Sequence, residues 1–189
     1  IIKTGGIMII YYGGLPGAGK SYGCVKDYII PALQKGRKVF AYIEGLNHEK
    51  IAEVAEITLD KCKELLHQIE REQVKEIYKY VENDSLVVID EAQNFFPAGR
   101  EKLSEDCTKF WAEHRHRGLD VICMGQDLRD CHNILKRRVD QKIVFNNLSS
   151  LVVNAYSFVV YKATSPEVFQ EVTSSGVKPI KYDPKYFGC

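Results

Sequence analysis

The chain has 189 residues, 45% of them apolar and 27% charged, with a formal net charge of +1. That length suits one domain with a substantial core, and the balance is that of an ordinary globular protein. The near-neutral charge offers no global field for a polyanion, so a nucleic-acid contact would need a local patch. No apolar run is long enough to cross a bilayer.

Residues 1–7 precede Met8 and read as an N-terminal extension, with a single domain over 8–189. The apolar start leads into a glycine-rich loop rather than a cleavage site, which argues against a signal peptide. Met8–Tyr12 is apolar throughout and predicts a first strand covered on both faces. Ser21 to about Gln34 predicts the first helix, closed by Lys35-Gly36 and kinked or shortened by Pro31. Lys38–Ile43 predicts a second strand, and Asn47-His48-Glu49 opens a helical region. From Leu59, apolar residues recur three or four apart through Cys62, Leu65, Leu66, Ile69, Ile77, Tyr78 and Val81, which predicts an amphipathic helix over 59–82, or two joined end to end.

Leu86–Ile89 predicts a buried strand after the turn Asn83-Asp84-Ser85. Ser104-Glu105-Asp106 caps a helix that passes Phe110 and Trp111 and stops near Gly118. Asp120–Gly125 and Lys142–Asn146 predict two more strands. The alternation implies an α/β fold with a mainly parallel central sheet flanked by helices. Beyond Asn147 the β-rich stretch Leu151–Ala163 predicts antiparallel additions to one sheet edge, and Ser165-Pro166-Glu167 a short helix. The six cysteines (Cys24, Cys62, Cys107, Cys123, Cys131, Cys189) contain no C-x-x-C pair and read as reduced thiols. His114-x-His116 and Cys131-His132 lack a second pair at zinc-site spacing.

Chemistry enters at Gly14-Leu15-Pro16-Gly17-Ala18-Gly19-Lys20-Ser21, which fits G-x-x-x-x-G-K-[ST] between a predicted strand and a predicted helix. In that context the glycines let backbone N–H groups wrap phosphates, and the helix start adds its dipole. Lys20 is placed for the β- and γ-phosphates, the Ser21 hydroxyl for Mg²⁺, and Tyr22 completes the loop's binding segment. Asp90-Glu91 ends a buried strand, the sheet edge where ligands bind in open parallel sheets. Asp90 is placed to hold Mg²⁺ and Glu91 to act as general base toward water. Gln126 ends the strand after that; if this strand lies between the first strand and the Asp90 strand, Gln126 points toward the γ-phosphate. Together these predict a P-loop NTPase binding ATP and Mg²⁺. Arg137-Arg138 precedes the last core strand, where Arg138 can present a guanidinium to a neighbouring subunit's nucleotide. His114-Arg115-His116-Arg117-Gly118 closes a helix, where cations suit the negative end of its dipole.

The phosphate loop, Ile89-Asp90-Glu91-Ala92-Gln93, His114-Arg115-His116-x-Gly118-x-Asp120 and Gln126-Asp127 with Arg137-Arg138 together resemble the zonula occludens toxin family, over roughly residues 8–185. The resemblance implies the amino-terminal ATPase domain of a filamentous-phage assembly protein at the cytoplasmic face of the bacterial inner membrane. It also implies a homo-oligomer, with single-stranded phage DNA and phage or membrane assembly proteins as partners. Members usually continue into a membrane helix and a periplasmic part, and toxicity is not assigned to the residues present. Two other readings of the same motifs stay open: a small-molecule kinase, with Glu44 as acceptor-binding acid, and a non-hydrolysing nucleotide-binding module of a toxin or effector. A GTPase is disfavoured because no Asn-Lys-x-Asp segment appears.

Overall fold

The computed structural model describes residues 8–99, 102–148, 154–172 and 179–189. The predicted N-terminal extension, 1–7, and the start of the predicted β-rich stretch, 151–153, lie outside the described residues. Apolar residues at successive positions with β-branched side chains build β1 (Ile9–Gly13), β2 (Val39–Tyr42), β4 (Leu86–Ile89), β5 (Asp120–Met124) and β6 (Gln141–Asn147). The short β3 (Leu66–Gln68) pairs with β2, and β7 (Ala155–Ser165), β8 (Val168–Glu171) and β9 (Ile180–Lys181) extend the far side. The order is β3-β2-β4-β5-β1-β6-β7-β8, with β9 on β7. Pairing is parallel from β3 to β6 and antiparallel among β6, β7, β8 and β9.

Strand side chains alternate between faces, so each buried strand feeds two cores. Ile10, Tyr12, Val88, Ile122 and Met124 pack with Cys24, Ile29 and Leu33 from the helix after β1. Ile9, Tyr11, Val87, Ile89, Val121 and Cys123 pack on the other face with Phe110 and Trp111. The first face carries α1 (Lys20–Cys24), a π-helical turn Val25–Ile29, α2 (Ile30–Gln34), α3 (His48–Ala55) and α4 (Leu59–Leu65). Of the two effects expected of Pro31, shortening is absent, since the helix runs on to Gln34; the distortion is a wide turn just before it, closed by Ile30 N–H on the Val25 carbonyl. At the opposite sheet edge the Arg37 guanidinium donates to the Ser85 carbonyl at 2.9 Å and the Gly118 carbonyl at 3.0 Å, tying the starts of the central strands together.

The predicted helix over 59–82 is replaced by three elements: α4, β3, and a 3₁₀ stretch Arg71–Lys79 with non-helical backbone at Glu76. The reason is the sheet edge. Cys62, Leu65 and Leu66 bury into the first core, whereas Ile69, Val74, Ile77 and Val81 bury into the second. One helix cannot supply both, so the chain passes round the edge as β3, with His67 stacked 4.8 Å from Phe40. The predicted helix at Ser165-Pro166-Glu167 is instead the turn of the β7–β8 hairpin. Glu167, which follows Pro166 in that turn, has φ 63°, in the left-handed region.

On the second face, α5 (Glu105–Glu113) starts at Ser104, whose Oγ accepts from Cys107 N–H at 3.2 Å. It carries Trp111, fully buried and edge-on to Phe96 at 5.4 Å and Phe110 at 5.3 Å. Trp111→Ala is expected to destabilise the fold by ~3–5 kcal/mol, since the surrounding rings cannot collapse into the space. A lower urea midpoint with unchanged m-value checks this; an unchanged midpoint would mean the ring is not a core support.

Candidate nucleotide-binding site

After β1 the chain leaves the sheet through Gly14–Gly19 and enters α1 at Lys20. Gly14 has φ 142°, and a Cβ there would lie 2.5 Å from the Phe145 carbonyl oxygen, so only glycine fits. Its N–H donates to the Gln126 carbonyl at 3.1 Å, which fixes the loop to the end of β5. Leu15, Pro16 and Gly17 form an exposed crest, and Ala18 N–H closes on the Leu15 carbonyl at 3.2 Å. Lys20 is only 7% exposed, and its ammonium donates to the carbonyls of Gly14 at 2.8 Å and Leu15 at 3.1 Å. The cation thus sits inside the ring of its own loop. Among the described residues no side chain caps the helix start at Gly19, which leaves the first turn's N–H groups without a side-chain partner there.

The acid pair arrives from β4, two strands from β1, with β5 between them. Asp90 N–H continues the ladder onto the Tyr42 carbonyl at 2.9 Å, and Asp90 Oδ1 accepts from Glu91 N–H at 2.9 Å. Asp90 Oδ2 lies 3.5 Å from Ser21 Oγ. Burial pushes the Asp90 carboxyl above its ordinary range; the Glu91 N–H, Lys20 and Ser21 pull the other way. A hydroxyl and a desolvated carboxylate facing each other are hard oxygen donors, a set that fits Mg²⁺.

Glu91 takes φ 47°, uncommon for a non-glycine residue, and its carboxylate accepts from the Gln93 side-chain amide. The other end of that amide, Oε1, is buried without a partner among the described residues, as is the Tyr11 hydroxyl. Both crowd Gly125, where a Cβ would meet each within 2.5 Å. Lys20, Ser21, Asp90 and Glu91 line one cleft of about 570 Å³, together with Glu44 and the rings of Tyr22, Tyr182, Tyr186 and Phe187. No group of three or more His, Cys, Asp or Glu side chains suited to a metal occurs among the described residues, so the Ser21 hydroxyl beside Asp90 is what would hold one here.

The zonular occludens toxin (Zot) family model matches residues 8–189. The chain belongs to the Zot family. It is 32% identical over 193 residues to the Gene 1 protein of Xanthomonas phage phiLf, covering 95% of this chain and 43% of that protein. It is 22% identical over 153 residues to the zona occludens toxin of Vibrio cholerae serotype O1, covering 70% of this chain and 38% of that protein. The chain therefore spans less than half the length of these Zot relatives. Among solved structures, the N-terminal domain of the Neisseria meningitidis Zot superposes with a TM-score of 0.64 at 19% identity, covering 96% of this chain and 97% of that one. The genome packaging NTPase B204 of Sulfolobus turreted icosahedral virus 2, in complex with AMPPCP, gives 0.63 at 19% identity, covering 93% and 98%. The fold of this Zot domain is thus that of the P-loop NTPases, with antiparallel strands added at its C-terminal side.

Two residues singled out in the Zot sequence stand apart from the cleft. β5 does lie between β1 and β4, but exposed Gln126 lines a second cavity of about 450 Å³ on the other flank of the loop, with Gly14, Pro16 and Asn146. Arg138 precedes β6, which runs parallel to β1, so it sits at the sheet edge opposite the phosphate loop. There it lines a cavity of about 390 Å³ with His114 and Arg115, and donates to the Ile134 carbonyl at 3.3 Å. Sequence reasoning named Gln93 only as part of a motif, without a role, and did not single out Tyr182, Tyr186 or Phe187. The first follows the acid pair by two residues, and the others form an aromatic-rich end whose signal was its composition alone.

Proposed function

We propose that this chain is the Mg²⁺-dependent ATPase domain of a phage assembly motor, which exports filamentous phage with its single-stranded DNA through the bacterial inner membrane. The observation that carries the reading is the convergence of Lys20, Ser21, Asp90 and Glu91 in one cleft, with Ser21 Oγ and Asp90 Oδ2 3.5 Å apart. Lys20 exchanges its two carbonyl partners for phosphate oxygens when nucleotide enters. Ser21 and Asp90 would hold Mg²⁺, which supplies charge neutralisation on the phosphates. Glu91 takes a proton from the attacking water, and Gln93 orients its carboxylate. The Gene 1 protein of Xanthomonas phage phiLf supports a phage-associated setting by its source, and the name of the genome packaging NTPase B204 supports a viral NTPase. The domain works at the cytoplasmic face as a homo-oligomer. Arg138, at the far edge of the sheet, reaches a nucleotide only on a neighbouring subunit.

Phosphate release should be measured with ATP and GTP, with and without single-stranded DNA, on the assembled protein and on its Lys20→Ala variant. The expected result is steady release from ATP, increased by DNA and absent in the variant. No release from either nucleotide would remove the motor reading, and transfer to a nucleoside instead of water would replace it with a kinase.

A further inference from the structure

The cleft has a polar end and an aromatic end. The aromatic end is built largely from the tail after β9, which folds back over α1. Tyr182 touches the phosphate loop directly, since a Cβ on Gly19 would lie 2.7 Å from its hydroxyl oxygen. Tyr22, the residue after Ser21, meets Tyr182 edge-on at 4.8 Å, Tyr186 at 6.0 Å and Phe187 at 6.1 Å. The Tyr22 hydroxyl accepts from Asp183 N–H at 2.8 Å, and the Cys189 carbonyl accepts from Asn47 N–H at 2.6 Å. The tail is therefore pinned both to the helix after the loop and to the start of α3, across the cleft between them.

This arrangement leaves apolar surface where a soluble domain has reason to cover it. Phe187 is 49% exposed on the lip of the cleft while its neighbours Tyr182 and Tyr186 are half-buried. We infer that the tail Tyr182–Phe187 is the base-binding wall of the site: the base of a nucleoside triphosphate stacks on these rings while its phosphates rest on Lys20 and Ser21. The inference rests on the nucleotide reading above and adds the subsite that sequence motifs do not mark. An aromatic face binds any base through its π-surface, so the wall supplies affinity and position rather than a donor–acceptor code. It also couples occupancy to the tail, because a stacked base bridges the phosphate loop and the segment pinned to α3.

Calorimetric titration with Mg-ATP and, separately, Mg-tripolyphosphate separates the two ends. Phe187 is exposed, so Phe187→Ala leaves the fold intact, and tripolyphosphate binding serves as its check. Phe187→Ala should weaken ATP about tenfold and leave tripolyphosphate unchanged, with Phe187→Trp restoring ATP affinity. Tyr186→Ala should act in the same direction. Unchanged ATP affinity in both alanine variants, with or without a change in oligomeric state, overturns the wall while leaving the phosphate site standing. A parent protein that binds neither compound overturns the nucleotide reading and the wall with it.

Discussion

Lys20→Ala is expected to abolish ATP binding at concentrations that saturate the parent. Lys20 is 7% exposed and its ammonium already holds two carbonyl acceptors, Gly14 at 2.8 Å and Leu15 at 3.1 Å. Each charge-assisted hydrogen bond to a phosphate oxygen in such a place contributes about 1.5–3 kcal/mol, so loss of a pair weakens binding by roughly 10²- to 10⁴-fold. The helix dipole at Gly19 contributes ~0.3–1 kcal/mol and cannot compensate. Removing the side chain also leaves the Gly14 and Leu15 carbonyls short of a donor, which loosens the loop itself. Lys20→Arg tests whether charge alone suffices: the planar fork does not fit a ring closed by a compact ammonium, so it too should bind poorly. Titration calorimetry measures the affinity and circular dichroism confirms the fold. An alanine variant that hydrolyses ATP at the parental rate would strip Lys20 of its phosphate role.

The elements that could be read from the chain are those whose burial is nearly complete. β1, β4 and β5 show continuous apolar runs because both faces are covered, and their ends carry Gly14, Asp90 and Gln126 to one side of the sheet. A periodic pattern, by contrast, records that a side chain is buried and not which core receives it. That ambiguity hid β3: Leu65, Leu66 and Ile69 look like a helix face, yet the first two and the third belong to opposite cores. Side-chain direction was equally illegible at the site. The loop's Gly14 takes the Gln126 backbone carbonyl, and the Gln126 side chain lines the cavity across the loop. Arg138 could not be located until the parallel pairing of β6 with β1 put its own end of β6 away from the loop. The aromatic tail carries no spacing rule, since its contacts with Tyr22 bridge 160 residues or more, as in Tyr22–Tyr182 and the bond to Asp183.

Glu91→Gln separates binding from turnover more sharply than any other substitution at this site. The amide keeps the size of the carboxylate and the backbone keeps φ 47°, a conformation held by the Asp90 Oδ1 bond to Glu91 N–H. ATP affinity should therefore be retained or slightly raised, because a negative charge is removed beside the phosphates. Turnover should fall by about 10²- to 10⁴-fold, the range for loss of a positioned general base. Gln93→Ala bears on the same carboxylate from behind: without the amide donor, Glu91 is free to turn, so kcat should fall while the ATP Kd stays constant. A merely structural role for Gln93 would instead lower the thermal midpoint without changing kcat at low temperature. Were Glu91→Gln to turn over ATP at the parental rate, the proton would have to go elsewhere. Glu44 is the carboxylate left for it, lining the same cleft beside Gly45 and Leu46. A parallel Glu44→Gln variant decides between the two, since only the true base can lose its charge and leave ATP bound but intact.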